Sequence, residues 1–133
     1  MFDHVGIFVS DFSKSSLLYE ACLSPLGIHV LQRQPEWNAM IFAGDTDLPF
    51  LWLGGISKGA DYHGTPLDPA HQRPMHLSFR APSKEAVDLF HKAGIASGAK
   101  CNGSPEHCGN GYYAAYLLDF DGNNLEAGIR SAC

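Results

Sequence analysis

The sequence predicts an α+β fold made of two tandem modules, each with the order strand, helix, strand, strand, strand (βαβββ). The first observation is that this order occurs once in each half of the 133-residue chain. The second is that a histidine near the start of the first strand occurs in both halves, at His4 and His76. The third is a closing hairpin over residues 112–127, in which two apolar strands flank an Asp-Gly turn. The whole chain, residues 1–133, is expected to form one domain, with modules at about 1–56 and 74–133.

The first module begins with an apolar run over residues 2–9, which predicts a strand buried on both faces. Alternate residues counted from His4 share one of these faces. An amphipathic helix is expected at about 14–24, with Ser13 as its N-cap. Three short strands follow, over residues 28–34, 37–43 and 49–53.

The second module follows a loop at about 54–74, which is rich in Gly and Pro and has little periodicity. Ser83 is the predicted N-cap of the second helix. The expected elements are a strand over 75–81, a helix over 84–93, a short strand near Ala99, a glycine-rich loop over 102–111 and the closing hairpin.

Composition excludes several classes of partner. The net charge is -5, and the nine Lys and Arg residues are scattered, which argues against binding to nucleic acid or to an anionic membrane. No segment is typical of a signal peptide or of a membrane span. The four cysteines form no C-x-x-C pair, which favours a reduced, cytoplasmic protein with incidental thiols.

Three polar residues lie in otherwise apolar strands: His4, His76 and Glu126. An ionised glutamate in such a strand costs free energy unless it is paired or bound to a metal. Two imidazoles and one carboxylate are suitable ligands for a divalent first-row ion (Fe, Mn, Zn, Ni or Co) and leave positions open for substrate. The alternative is that each residue is a buried polar group that its neighbours satisfy, and a strand histidine taken singly more often has that structural role than a metal-binding one.

Three segments carry a resemblance to a known family. They are D-H-V-G-I-F-V-S-D over residues 3–11, H-L-S-F over 76–79 and, above all, L-D-F-D-G-N-N-L-E-A over 118–127. Together with the tandem modules, they resemble the vicinal oxygen chelate superfamily of glyoxalases, bleomycin resistance proteins, extradiol dioxygenases and fosfomycin-resistance enzymes. The resemblance covers essentially the whole chain. It implies a curved mixed sheet around a metal and substrate cavity, and it implies a homodimer.

The resemblance also implies that His4, His76 and Glu126 are the metal ligands. Glyoxalase-type members carry a fourth ligand, a carboxylate on the last strand of the first module. The matching stretch here, residues 50–54, reads F-L-W-L-G and offers none. A three-ligand site is more similar to those of the extradiol dioxygenases and the fosfomycin-resistance enzymes, so lactoylglutathione chemistry is the less favoured activity.

Tyr116 and Tyr113 are the candidate catalytic residues. In the extradiol dioxygenases a tyrosine precedes the glutamate ligand at a spacing that Tyr116 resembles, and its phenol can hydrogen-bond a substrate oxygen or relay a proton. A simple two-residue turn would pair Leu117 with Glu126 and place Tyr113 on the face of Glu126 instead. A bulge in the turn would reverse this.

Two functions are therefore expected. The first is a metal-dependent lyase, isomerase or dioxygenase that acts on a small substrate with chelating oxygens. The alternative is a metal-free protein that binds a small molecule or drug, in which aromatic residues such as Trp52 line the groove.

Overall fold

The computed structural model describes residues 1–61, 63–68, 70 and 73–131. It confirms the α+β class and the two tandem βαβββ modules. The first module contains β1 (His4–Val9), α1 (Phe12–Leu23), β2 (His29–Gln34), β3 (Ala39–Ala43) and β4 (Phe50–Gly55). The second contains β5 (His76–Arg80), α2 (Lys84–Ala96), β6 (Lys100–Gly109), β7 (Tyr112–Leu118) and β8 (Asn124–Arg130). No helix in the described ranges is long and apolar enough to cross a membrane.

Each module forms one four-stranded mixed sheet. The strand orders are β1-β4-β3-β2 and β5-β8-β7-β6, so the first strand of each module is an edge strand and pairs in parallel with the last. The other pairs in both sheets are antiparallel. The registers are equivalent, because His4 lies opposite Phe50 and His76 lies opposite Asn124. The two histidines therefore occupy matching positions in the two sheets.

The helix caps differ from the prediction at one of two positions. The N-cap of α1 is Asp11, whose side chain accepts a hydrogen bond from the Lys14 amide, and not Ser13. Both residue types cap helices well, and the earlier one starts the helix. Ser83 caps α2 as predicted, since its hydroxyl accepts from the Ala86 amide.

The second helix also continues past Gly94 to Ala96. Gly94 lies under the Leu117 side chain, which a β-carbon at this position would strike. This glycine therefore serves close packing between α2 and β7 and does not end the helix.

Strand β6 corrects the prediction for residues 100–109. The sequence predicted a short strand followed by a glycine-rich loop, whereas the whole segment pairs with β7. The register shifts at three places, so the glycines and the proline fall at irregularities of an edge strand, where they are tolerated. Backbone hydrogen bonds to β7 therefore outweigh the preference of the glycines and the proline for a loop.

The two modules share one apolar core. Helices α1 and α2 pack against each other, and buried residues of both modules form a single cluster that includes Tyr19, Phe42, Phe90 and Leu125. A buried hydrogen bond of 2.6 Å runs from the Tyr19 hydroxyl in α1 to Asp119, before the turn between β7 and β8. This bond ties the first helix to the β7–β8 turn, so it adds a polar contact between the modules to the packing of α1 against α2.

Candidate functional site

The register of the closing hairpin decides which tyrosine shares a face with Glu126. Tyr116 lies opposite Glu126, and Leu117 lies opposite Leu125, so the register expected from a simple two-residue turn is wrong. The connection is longer because the Asp119 carboxylate accepts hydrogen bonds from the amides of Asp121 and Asn123. Residue 119 therefore belongs to the turn and not to the strand.

Tyr113 consequently lies on the opposite face of β7. Its hydroxyl donates to Asp88 of α2 at 2.6 Å, and the hydrogen bond to Asp88 raises its pKa above the ordinary value. Of the two alternatives that the sequence left open, the register therefore selects the one that places Tyr116, and not Tyr113, on the face of Glu126. Tyr116 keeps its candidate role.

Glu126 is the centre of a polar cluster on the open face of the second sheet. It is 7% exposed. Its Oε1 accepts a 2.6 Å hydrogen bond from the Tyr112 hydroxyl, and its Oε2 lies 2.9 Å from His76 Nε2. A buried carboxylate with these two partners avoids most of the penalty of an unpaired charge.

Both tyrosines beside Glu126 remain protonated at neutral pH. Burial, then the negative charge of Glu126 and a hydrogen bond to it, raise the pKa of Tyr116 to about 12. Burial and the hydrogen bond to Glu126 raise the pKa of Tyr112 as well. Tyr112 was missed from the sequence, although it precedes Tyr116 by four residues and therefore had to share its face of the strand.

His76 is held on its other side by an amide. Its Nδ1 lies 2.7 Å from Nδ2 of Asn124, and Oδ1 of Asn124 accepts from Nδ2 of Asn102 at 3.1 Å. The His76 side chain is 53% exposed, so its ring also meets solvent. A chain of polar contacts thus runs from Asn102 through Asn124 and His76 to Glu126.

His4 lies in a different environment, at a cavity of about 490 Å³ on the first module. Its ring stacks on Phe50 at 4.5 Å between centroids, and its Nδ1 lies 2.7 Å from Oδ1 of Asp3. Burial on both faces of β1 was predicted, but only Ile7 and Val9 are buried to below 5% exposure. The face that carries His4 opens to the cavity.

Aromatic side chains form much of that cavity's wall, namely those of Phe8, Trp37 and Trp52. Trp52 donates from Nε1 to the Gln34 side chain at 3.0 Å, and its ring lies over Gly54, where a β-carbon would strike it. Trp52 occupies in β4 the position that Glu126 occupies in β8. The first module therefore presents an aromatic surface where the second presents a carboxylate.

The pair of His76 and Glu126 fits two of the three ligands expected of the metal centre. Two ligand atoms that each lie roughly 2.1 Å from one ion, at right angles, are about 3 Å apart, and His76 Nε2 and Glu126 Oε2 show this separation. Across residues 1–61, 63–68, 70 and 73–131, no group of three or more His, Cys, Asp or Glu side chains is arranged to bind one ion. His4 thus does not join His76 and Glu126 within a single chain.

Comparisons with known proteins agree with this architecture. The sequence profile of the Glyoxalase/Bleomycin resistance protein/Dioxygenase superfamily matches residues 1–127. The structure of a glyoxalase/bleomycin resistance protein from Albidiferax ferrireducens is 31% identical, with 98% of this chain and 99% of that chain covered and a TM-score of 0.73. No significant match exists among curated proteins.

Two further solved structures share the fold at lower identity. A glyoxalase/bleomycin resistance protein/dioxygenase family enzyme from Burkholderia phytofirmans is 23% identical, with coverages of 97% and 98% and a TM-score of 0.72. A lactoylglutathione lyase from Agrobacterium tumefaciens is 20% identical, with coverages of 97% and 92% and a TM-score of 0.67.

Proposed function

Because the chain belongs to the glyoxalase/bleomycin resistance protein/dioxygenase superfamily, we propose that it is a divalent-metal-dependent enzyme that acts on a small substrate with chelating oxygens. The reaction is of the lyase, isomerase or dioxygenase type. The observation that carries this proposal is the pair of His76 and Glu126, an imidazole and a buried carboxylate 2.9 Å apart on an open sheet face. Such a pair supplies two ligands of the types that first-row ions prefer.

The residues around the pair have separable roles. His76 and Glu126 would hold the ion (Fe, Mn, Zn, Ni or Co), which would act as a Lewis acid when bound. Glu126 offsets part of the dication's charge. Tyr116, whose pKa is raised to about 12, keeps its proton at neutral pH and donates a hydrogen bond to a substrate oxygen.

The third ligand in this proposal is His4 from a second copy of the chain. Two observations support a homodimer. His4 lies at a cavity of the first module, separate from the His76 and Glu126 pair. In addition, β1 and β5, the strands that carry the two histidines, are both sheet edges in the described chain, and exposed edges favour association with another surface.

The Glu126→Gln substitution tests the metal proposal. Chain purified without an affinity tag is expected to bind one divalent ion per subunit, measured by elemental analysis and by calorimetric titration with Zn²⁺. Glu126→Gln keeps the shape but removes the charge, and it should weaken Zn²⁺ binding by at least about tenfold. The apo variant should stay within about 1 kcal/mol of the parent in the free energy of unfolding, since the amide oxygen can still accept from Tyr112, and the amide nitrogen can donate to Nε2 of His76 when the ring carries its proton on Nδ1.

The matched control is His107→Gln, because His107 packs against Tyr113 on the other side of the sheet. It should bind Zn²⁺ as the parent does. A parent chain that contains no metal and does not bind Zn²⁺, or a Glu126→Gln variant that binds as tightly as the parent, contradicts the proposal.

The second candidate is a metal-free small-molecule binding protein, and the aromatic cavity favours it. Trp37, Trp52 and Phe8 offer flat apolar surfaces, and Gln34 offers a polar group beside them. If this is the function, a planar aromatic ligand should quench tryptophan fluorescence equally in the presence and absence of a chelator. Trp52→Leu should abolish that binding, whereas Glu126→Gln should leave it unchanged.

A further inference from the structure

We propose that Asn102 and Asn124 form an amide relay that decides which ring nitrogen of His76 carries the proton. The relay spans three strands, with Asn102 on β6, Asn124 on β8 and His76 on β5. Its three contacts, including that of His76 with Glu126, measure between 2.7 and 3.1 Å. Asn102 and Asn124 are positioning residues that act on the site through His76.

The direction of the relay follows from the acceptor at its end. An ionised Glu126 can only accept, so His76 carries its hydrogen on Nε2 and donates it to Oε2. The bare Nδ1 is then an acceptor, and Asn124 presents its Nδ2 amide group to it. The Asn124 Oδ1 in turn accepts from Nδ2 of Asn102, so every contact joins a donor to an acceptor.

A second arrangement reverses the two amide contacts but not the contact with Glu126, because a bare Nε2 and an ionised carboxylate are both acceptors. If the His76 proton moves to Nδ1, Asn124 must turn its amide so that Oδ1 accepts from the ring. Its Nδ2 then faces Asn102, which must also turn and offer Oδ1. The bare Nε2 then needs a cation between it and the Glu126 carboxylate, such as the divalent ion of the proposed function. Water can carry the proton because half of the side chain is exposed.

The two arrangements differ in what they offer to a ligand. In the first, Nε2 is occupied by its hydrogen bond to Glu126 and has no lone pair to donate. In the second, the Nε2 lone pair is free, which is the form that a divalent ion requires. This consequence rests on the proposed metal function, whereas the tautomer itself does not. The relay thus links the orientation of two amides to the readiness of His76 as a ligand.

Long-range ¹H–¹⁵N correlation of the imidazole rings in the metal-free chain tests the tautomer directly, with His76→Gln used to assign the resonance. The parent should carry the His76 proton on Nε2. The carboxylate introduced by Asn102→Asp can only accept hydrogen bonds, so the Asn124 amide should turn and present Nδ2 to it and Oδ1 to the His76 ring. Nδ1 of His76 should then gain a proton, whether or not Nε2 keeps its own. The double variant Asn102→Asp with Asn124→Leu adds the same charge but breaks the relay, and it should lose this change.

Three results would overturn the proposed relay, provided that circular dichroism shows the variants to be folded. They are a parent with the proton on Nδ1, an Asn102→Asp variant without a protonated Nδ1, and a double variant that behaves as the single one does. Calorimetric titration with Zn²⁺ then tests the link to the metal: Asn102→Asp should bind at least about tenfold more tightly than the double variant. If no chain binds Zn²⁺, the proposed metal function fails, while the resonances still decide the relay.

Discussion

Glu126 shows how one buried charge is accommodated on an open sheet face. Tyr112, Tyr116 and His76 surround its carboxylate, and the hydroxyl of Tyr112, at 2.6 Å, lies closer to it than His76 Nε2 does, at 2.9 Å. The Tyr112 ring reaches this position by lying over Gly128, at which a β-carbon would strike its hydroxyl end. Gly128 is therefore required for close approach of an aromatic ring and not for flexibility.

Replacing Gly128 by alanine tests this role. The added methyl group should force Tyr112 away from Glu126 and lower the free energy of unfolding by about 1–3 kcal/mol, measured by urea denaturation. Gly44→Ala is the control, since a β-carbon there meets nothing within 4 Å. It should change the free energy of unfolding by less than about 0.5 kcal/mol. Equal effects of the two substitutions would contradict the packing role of Gly128.

The sequence identified the polar residues of the site but not their orientation. His76 and Glu126 were predictable because a charged or polar residue in an apolar strand requires a partner. Tyr112 was not named as a site residue, although its spacing from Tyr116 places both on one face. Which of Tyr113 and Tyr116 shares the face of Glu126 stayed open, because it depends on the length of the turn. That length is set by hydrogen bonds to the Asp119 side chain, which the dipeptide Asp-Gly does not reveal.

At the scale of elements, the contact between α1 and the β7–β8 turn joins the modules. Tyr19 is fully buried, and its hydroxyl donates to an Asp119 carboxylate that also accepts from Asn123. Tyr19→Phe should lower the free energy of unfolding by about 1.5–3 kcal/mol, since a buried hydrogen bond to a charged group is lost. Tyr113→Phe is the control: its hydroxyl bond is equally short but exposed, so the loss should be below about 0.5 kcal/mol.

Tyr19 also predicts how the stability of the folded chain changes at alkaline pH. Burial, then the nearby charge of Asp119, raise the pKa of Tyr19 far above its ordinary value of 10.0. The folded chain therefore keeps a proton that the unfolded chain releases above about pH 10. Stability is present below that pH and falls as the pH rises further. The decrease in Tm between pH 9 and 11 should be shallower in Tyr19→Phe, and an unchanged slope would contradict this assignment.

Elements with strong local patterns were predicted well, and β6 was not. Both helices have amphipathic patterns and capping residues, and their positions agree to within three residues of the prediction. In β6, glycine and proline predicted a loop, but the neighbouring strand β7 supplies a full set of backbone partners. Tertiary pairing of this kind has no counterpart in the local sequence.

For the whole molecule, the repeated βαβββ order predicted the fold, and together with the three motif segments it predicted the family. It did not show that His4 would lie apart from His76 and Glu126 within one chain. The spacing of His4, His76 and Glu126 along the sequence is the same whether the three meet within one copy or between two, so the sequence cannot distinguish these cases. We propose that a complete site needs His4 from one copy and His76 with Glu126 from another.

Mixing two defective variants tests that claim most directly. His4→Gln and Glu126→Gln chains are unfolded, combined in equal amounts, refolded and titrated with Zn²⁺. Each variant alone should lack the parent's high-affinity site. Random pairing makes half of the dimers mixed, and each mixed dimer contains one intact site of two, so the mixture should regain roughly a quarter of the parent's sites. A mixture that binds no more Zn²⁺ than the separate variants do would contradict a site shared between two copies.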